Sequence, residues 1–303
     1  MTLRFPYIRA AVLIAAFALS SMTVSAQSDL LKEKFSVRLH RIAGEADAVV
    51  GFVIKDLKSG ERFALNETEI FPQASSIKIH ILTEVYRQAA AGKFSLNDIR
   101  PLPSSARVAG SGVLSMLGER TVSMSVRDYC VLMMNLSDNT ATNLLIDLVG
   151  MKNVNESLVK EGAPETKLQR IMMDYQAAKE GRENIATPKD VALVLEKLYN
   201  GTMVNRAASD DMLAVMRLEK EGWIKSGVGT GVPVANKAGD IEGVKVDAAV
   251  VYLENGPYVI TVMTKMLLKE PDGGRIITDI SRATYEYFER KASSNRFGRR
   301  IPK

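Results

Sequence analysis

The sequence predicts an α+β fold: an antiparallel sheet flanked by terminal helices, with an all-helical lobe inserted between its strands. Three observations lead there. Strand-like segments gather near the two ends of the chain, and helical periodicity fills 70–204 with hardly any strand. A helical pattern also opens and closes the folded part. The 303 residues, 46% apolar and 25% charged, suffice for one sizeable core or two lobes and exclude a disordered or fibrous chain.

Taken in order, residues 1–26 stand apart. Arg4 and Arg9 form a basic start, "AAVLIAAFAL" is too short an apolar run to span a bilayer, and "VSA" ends at Ala26. The segment reads as a secretory signal peptide cleaved before Gln27. No cysteine follows the run, so no lipid anchor is expected, and the mature chain is expected outside the cytoplasm, secreted or periplasmic.

From Asp29 to about Ala43, the residues Leu31, Phe35, Leu39 and Ile42 recur at helical steps. "AVVGFVIKDLKSGERFALN" then reads as two strands turned at Lys58-Ser59-Gly60. In the middle, "SVRDYCVLMMNL" and "NTATNLLIDLVG" are helices meeting near Ser137. "ATPKDVALVLEKLYNG" has a Thr187 cap, Pro188 at the first helical position and Asn200-Gly201 as its stop. Strands return in "VPVANKAGD", "VKVDAAVVYLE" and "PYVITVMTKML", the last two joined at Asn255-Gly256. The closing helix puts Ile276, Ile280, Tyr287 and Phe288 on one face. The expected division is a catalytic domain over 27–291, with a sheet lobe (27–69 and 205–291) and a helical lobe (70–204), followed by a basic tail at 292–303.

Charge excludes two function classes. The formal +5 falls to +3 without Arg4 and Arg9, and the last twelve residues carry four basic groups and no acid, which leaves the body at −1. A basic tail supports neither a nucleic-acid groove nor a polybasic membrane face, and the tail itself reads as a frayed end. Cys130 is the only cysteine; its apolar setting reads as a buried, inert thiol. The two histidines, His40 and His80, lie in helical stretches with no carboxylate at a suggestive spacing, which argues against a Ser-His-Asp triad. No clustered ligands suggest zinc, and no metal or organic cofactor is expected.

In "FPQASSIKIH", Ser75 and Lys78 stand three apart and share a helix face, so the lysine can take the serine proton if burial and neighbouring cations lower its pKa. Ser137-Asp138-Asn139 lies between two helices, where Ser and Asp also suit a cap. Lys237-Ala238-Gly239 lies on a strand, with Gly where a ligand can approach the backbone. Each is weak alone; their order and setting, helix start then helix-helix loop then strand, carry the signal.

With "GSGVL" near residue 110, "LSDNTATN", "ATPKDVA" and "KAGDIEGVKVD", the mature chain resembles class A β-lactamases and their penicillin-binding relatives nearly end to end. The resemblance implies that Ser75 is the nucleophile with Lys78 as its proton acceptor. Ser137 would relay the proton to the leaving nitrogen, held by Lys237. Asn139 would orient Lys78 and the substrate amide, and the backbone amides of Ser75 and Asp240 would form the oxyanion hole, the first at a helix start where the dipole favours negative charge. Lys245 would meet the substrate carboxylate.

Two departures from that pattern stand out. Where the family has a hydroxyl after the strand lysine, this chain has Ala238, and losing one charge-assisted hydrogen bond costs about 1.5–3 kcal/mol. In "TKLQRIMMDYQAAKEGRENIATP" Arg170 fits the family loop, but the position of the deacylating glutamate falls on Met172, and a thioether is no base. Asp174 is the nearest candidate base, with Glu180 and Glu183 further along; Glu183 is expected to pair with Arg170. Cys130 falls where one partner of the family's optional disulfide would be, but the residue before the nucleophile is Ala74. The expected function is an exported serine hydrolase opening β-lactam amides through a Ser75 acyl-enzyme, acting as a monomer. A penicillin-binding D,D-peptidase on peptidoglycan stem peptides, a slowly deacylating sensor and an inactive scaffold stay open as alternatives.

Overall fold

The computed structural model describes residues 26–118, 122–254, 256–295 and 297–301, with side chains from Leu30 onward. The signal-peptide expectation and the Asn255 half of the predicted turn therefore lie outside the described residues, as do Arg296, Pro302 and Lys303 of the tail.

Helix α1 (Ala26–Gly44) leads into strands β1 (Val49–Asp56) and β2 (Arg62–Leu65). A run of helices comes next: α2 (Lys78–Ala90), α3 (Val126–Asn135), α4 (Asn139–Val149), α5 (Met151–Lys160), α6 (Tyr175–Lys179), α7 (Pro188–Asn200), α8 (Arg206–Met216) and α9 (Trp223–Gly227). Strands β3 (Val234–Ile241), β4 (Val244–Val251) and β5 (Tyr258–Lys265) precede the closing α10 (Glu270–Ala292). The five strands form one antiparallel sheet in the order β2-β1-β5-β4-β3, so the N-terminal hairpin pairs directly with the C-terminal strands.

Strand alternation assigns side chains to two cores. On one face Val53, Val246, Ala248, Val250, Val259 and Met263 join the helical lobe. On the other, Phe52, Ile54, Ala249, Val251, Ile260 and Val262 meet α1 and α10. With both faces covered, every residue of β4 is buried. Phe35 of α1 stacks on Tyr287 of α10 at 4.3 Å and meets Phe63 of β2 edge-on at 4.7 Å. Such ring pairs add about 0.5–1.5 kcal/mol each beyond area burial and tie the terminal helices together.

Local chemistry agrees with the sequence at most boundaries. Asp56 accepts from the amides of Lys58 and Ser59, and Gly60 takes a left-handed φ of 76°, closing the β1–β2 turn. Thr187 caps α7 through the Asp190 amide, Pro188 opens it and Gly201, at φ 72°, ends it. Helix α8 sends Met212, Leu213, Val215 and Met216 into the core shared by the helices and one face of the sheet. One expectation changes. The described part of the tail is not frayed: Ser294 bridges Arg300, and the Ile301 amide donates to Ser293 at 2.8 Å. Among the described residues, no helix is long and apolar enough to cross a membrane.

Candidate active site

The nucleophile candidate sits where the chain turns from sheet to helix. Gln73 and Ala74 lead into a short 3-10 turn, Ala74–Ile77, that continues as α2 and places Ser75 and Lys78 on one face. Ala74 (φ 45°), Ser137 (φ 53°) and Met173 (φ 66°) hold left-handed backbone without being glycine. Strain of that kind persists where surrounding contacts over-determine the chain, and here it falls next to, on and near the candidate residues.

Lys78 is fully buried. Its Nζ lies 3.1 Å from Ser75 Oγ, 3.0 Å from Ser137 Oγ, 2.7 Å from the Ser137 carbonyl and 3.0 Å from Asn139 Oδ1. Burial, followed by the Lys237 charge, lowers its pKa well below 10.5, against a smaller pull from Asp138. A neutral amine has two N–H donors and one lone pair, so among these four oxygens it can take a proton from one serine hydroxyl.

Ser137 joins the two lobes. Its Oγ accepts from Lys237 Nζ at 3.1 Å, and Lys237 also donates to the carbonyl of Ala238 at 2.8 Å. Burial, reinforced by Lys220 and opposed by Asp247, lowers the Lys237 pKa to about 7. Asp138 both caps α4 through the Ala141 amide and accepts from the amides of Val113 (2.7 Å) and Leu114 (2.9 Å), clamping the "GSGVL" loop. The loop clamp is not evident from the sequence; two close glycines opposite an acidic cap are the only hint of it.

Gly239 lets β3 press against the nucleophile turn. A Cβ there would lie 2.7 Å from the Ser75 nitrogen and 2.7 Å from the Gln73 carbonyl oxygen, so only glycine brings residues 239 and 240 this close. Ser75, Ser137, Lys237, Gly239 and Asp240 line one cavity of about 450 Å³ between the lobes.

Four expected residues are not on its lining: Lys78 and Asn139, which belong to the hydrogen-bonded group with Ser75 and Ser137, and Lys245 and Asp174. Lys245, read as the carboxylate partner, does not line the cavity; its ammonium is held by Asp240 and, at 2.7 Å, by Glu270. Burial works against that charge, but the two carboxylates outweigh it and raise the pKa. Asp174, read as the candidate base, accepts from the Ala177 amide at 2.9 Å as the N-cap of α6 and does not line the cavity either. Glu183 does staple the loop, taking Arg170 in a two-pronged pair at 3.0 and 3.1 Å. Met172 is 6% exposed and packs into the helical core, while Asn143 holds its backbone at both N–H (2.8 Å) and C=O (3.1 Å). Met173 lies toward Gly110 beside Asn139. Cys130 is buried, which pushes its thiol pKa up, and the ring nitrogens of buried His80 have no hydrogen-bond partner.

A helical lobe docked on an antiparallel sheet, with Ser75, Lys78, Ser137 and Lys237 converging at the seam, defines the class of β-lactamases and penicillin-binding proteins. The chain belongs to the β-lactamase enzyme family, whose model matches residues 34–288. β-Lactamase CARB-3 of Pseudomonas aeruginosa is 28% identical over 194 residues, 63% of this chain and 67% of that protein. The crystal structure of a β-lactamase from Sphaerobacter thermophilus is similar at a TM-score of 0.77 and 32% identity, over 83% of this chain and 95% of that one. A PBP-A mutant in an acyl-enzyme complex with penicillin-G gives a TM-score of 0.77 at 26% identity, over 86% and 97%.

Proposed function

We propose that the protein is an exported serine hydrolase that opens β-lactam amides through an acyl-enzyme on Ser75. The observation that carries this is the 3.1 Å contact between Ser75 Oγ and the buried Nζ of Lys78. In the proposed reaction Lys78 takes the Ser75 proton as Oγ bonds to the carbonyl carbon. The amides of Ser75 and Asp240 hold the oxygen that gains charge. The carbon–nitrogen bond then breaks as Ser137 gives its proton to the leaving nitrogen and recovers one from the Lys78 ammonium. The product is an ester on Ser75, which water must cleave to complete turnover. Asn139 keeps Lys78 in place, its Nδ2 donating to the carbonyl of Ala109 at 3.2 Å. Export rests on the residue 1–26 pattern alone.

A second reading shares the acylation and differs in the fate of the ester. Met172 is apolar, and Asp174 caps a helix through Oδ1; neither is among the residues lining the cavity. That favours a long-lived acyl-enzyme, as in a penicillin-binding D,D-peptidase or a sensor for cell-wall peptides. Intact mass after mixing the mature protein with a penicillin separates the readings. An adduct on Ser75 that vanishes with turnover supports the hydrolase, one lasting hours supports the peptidase or sensor, and no adduct rejects acyl transfer.

A further inference from the structure

Ala74 needs a restraint. It is not glycine, yet its φ of 45° is left-handed, and it stands between Gln73 and the nucleophile candidate. Such a backbone persists only where neighbouring contacts over-determine it. Those contacts converge on Gln73, which is fully buried.

The Gln73 backbone is held from two directions. Its amide donates to the carbonyl of Asn184 at 2.7 Å, and its carbonyl accepts from the Ser76 amide at 3.0 Å and the Ser76 hydroxyl at 2.7 Å. The side chain repeats the bridge in a second layer. Nε2 donates to the carbonyl of Ile185 at 3.2 Å, and Oε1 lies 3.1 Å from the same Ser76 hydroxyl. Ile185 forms the neck of the Arg170 loop, where it exchanges backbone bonds with Lys167 at 2.8 and 3.0 Å. One end of the Gln73 amide therefore grips the loop neck, and the other grips the residue after Ser75. On a third side the Gln73 carbonyl oxygen faces β3, since a Cβ on Gly239 would lie 2.7 Å from it.

We propose that Gln73 is a positioning residue for acyl transfer. Its side-chain amide fixes the Ser75 turn to the neck of the Arg170 loop and so sets where Ser75 Oγ and the Ser75 amide stand relative to Lys78 and β3. The role rests on the acyl-transfer reading of Ser75. Both partners keep another bond without the side chain: the Ile185 carbonyl still accepts from the Lys167 amide, and the Ser76 hydroxyl still donates to the Gln73 carbonyl. Removing the amide thus orphans no buried group and acts on geometry before stability.

Gln73→Met is unbranched and close in volume, and it removes both side-chain bonds. Stopped-flow mixing with a penicillin separates the saturating rate of Ser75 adduct formation from the concentration that gives half of it. The saturating rate is expected to fall by about tenfold to 10²-fold, the cost of a slightly misplaced reacting atom, with half-saturation moved by less than about twofold. The acid limb of the rate should stay in place, because the burial and charges that act on Lys78 are untouched. Ser76→Ala breaks the other end of the bridge, so the loss in the double variant should fall short of the product of the single losses. An unchanged saturating rate in folded Gln73→Met, a loss confined to half-saturation, a shifted acid limb, or losses that simply multiply would each overturn the assignment. Thermal midpoints report folding, and Ser76→Ala decides if the methionine variant does not fold. Intact mass of the wild type is read first: no adduct rejects acyl transfer and the role with it, whereas an adduct that forms equally fast in Gln73→Met rejects the role alone.

Discussion

Lys78 Nζ and Ser75 Oγ lie 3.1 Å apart, with the lysine wholly buried and the serine half-exposed on the cavity wall. In the proposed acylation the contact serves only while the amine is neutral. Lys78→Met should slow Ser75 adduct formation by about 10²- to 10⁴-fold, the usual worth of a positioned base. Because the folded pKa is lowered, the wild-type rate holds as pH falls below 10.5 and drops only on crossing the lowered value. Lys237→Met removes the second cause of that lowering, so the acid limb should move to higher pH. Stopped-flow acylation against pH measures both; an unmoved limb in Lys237→Met would contradict the charge coupling.

Gly239→Ala places a methyl carbon 2.7 Å from two backbone atoms of the nucleophile turn, and backbone cannot yield as a flexible side chain would. The strand must withdraw, taking the Asp240 amide from the proposed oxyanion hole. Acylation should fall by roughly 10²-fold or more, the cost of losing one such donor. If the alanine variant acylates at the wild-type rate, the Asp240 amide is not part of the hole.

Asn139 and Asn143 are one turn apart on α4, the first holding Lys78 and the second gripping Met172 from both sides. A glutamate at 172 is therefore anchored within one helical turn of the Lys78 partner. Met172→Glu should shorten the lifetime of the Ser75 adduct by at least tenfold, consistent with general-base magnitudes. Placing a carboxylate at a 6% exposed position should also destabilise the fold by about 1–3 kcal/mol. Time-resolved intact mass and urea unfolding report the two effects; an unaltered lifetime in a folded variant would mean that the side chain does not reach the ester.

The Arg170–Glu183 pair is only partly exposed, at 12% and 24% for the two side chains. Glu183→Gln leaves the guanidinium without its charged partner, though Asn184 still holds the Arg170 backbone through the amide at 3.1 Å and the carbonyl at 3.1 Å. We expect about 1–2 kcal/mol of lost stability, between an exposed pair and a buried one. Hydrogen exchange should rise within 164–184 first. Uniform exchange across the protein would show that the pair does not act as a local staple.

The site was legible where chemistry and local structure coincide. Ser75 and Lys78 stand at helical spacing, Ser137-Asp138 at a cap between two helices and Gly239 inside a strand, each weak alone; their order along the chain and the family resemblance carry the role assignments, that of Asn139 included. The fate of Lys245 was half legible: Asp240 faces it across the β3–β4 register, but Glu270 arrives from a helix beyond another strand. Asp174 reads as a candidate base in the sequence; the helix that it caps, Tyr175–Lys179, is too short to announce itself by periodicity. Lys220, which also lines the cavity, was invisible because it belongs to no motif, and its place on the wall depends on how the loop after α8 packs against β3 and β4.

His80 sits two residues beyond Lys78 on the same helix, fully buried, with neither ring nitrogen hydrogen-bonded. Burial lowers its pKa from 6.5 to about 3. In the unfolded chain the ring binds a proton below 6.5, whereas in the folded protein it stays neutral down to about 3. The unfolded state thus holds more protons throughout that window, and stability falls as pH falls across it, by up to about 1.4 kcal/mol per pH unit. His80→Leu has no proton to bind and no polar nitrogen to leave unpaired, an omission that costs about 1–3 kcal/mol per buried group. Urea unfolding at pH 7, 5.5 and 4 should therefore show the leucine variant pulling ahead of the wild type as the solution becomes more acidic. Parallel stability curves for the two proteins would rule out titration of this histidine as a source of acid lability.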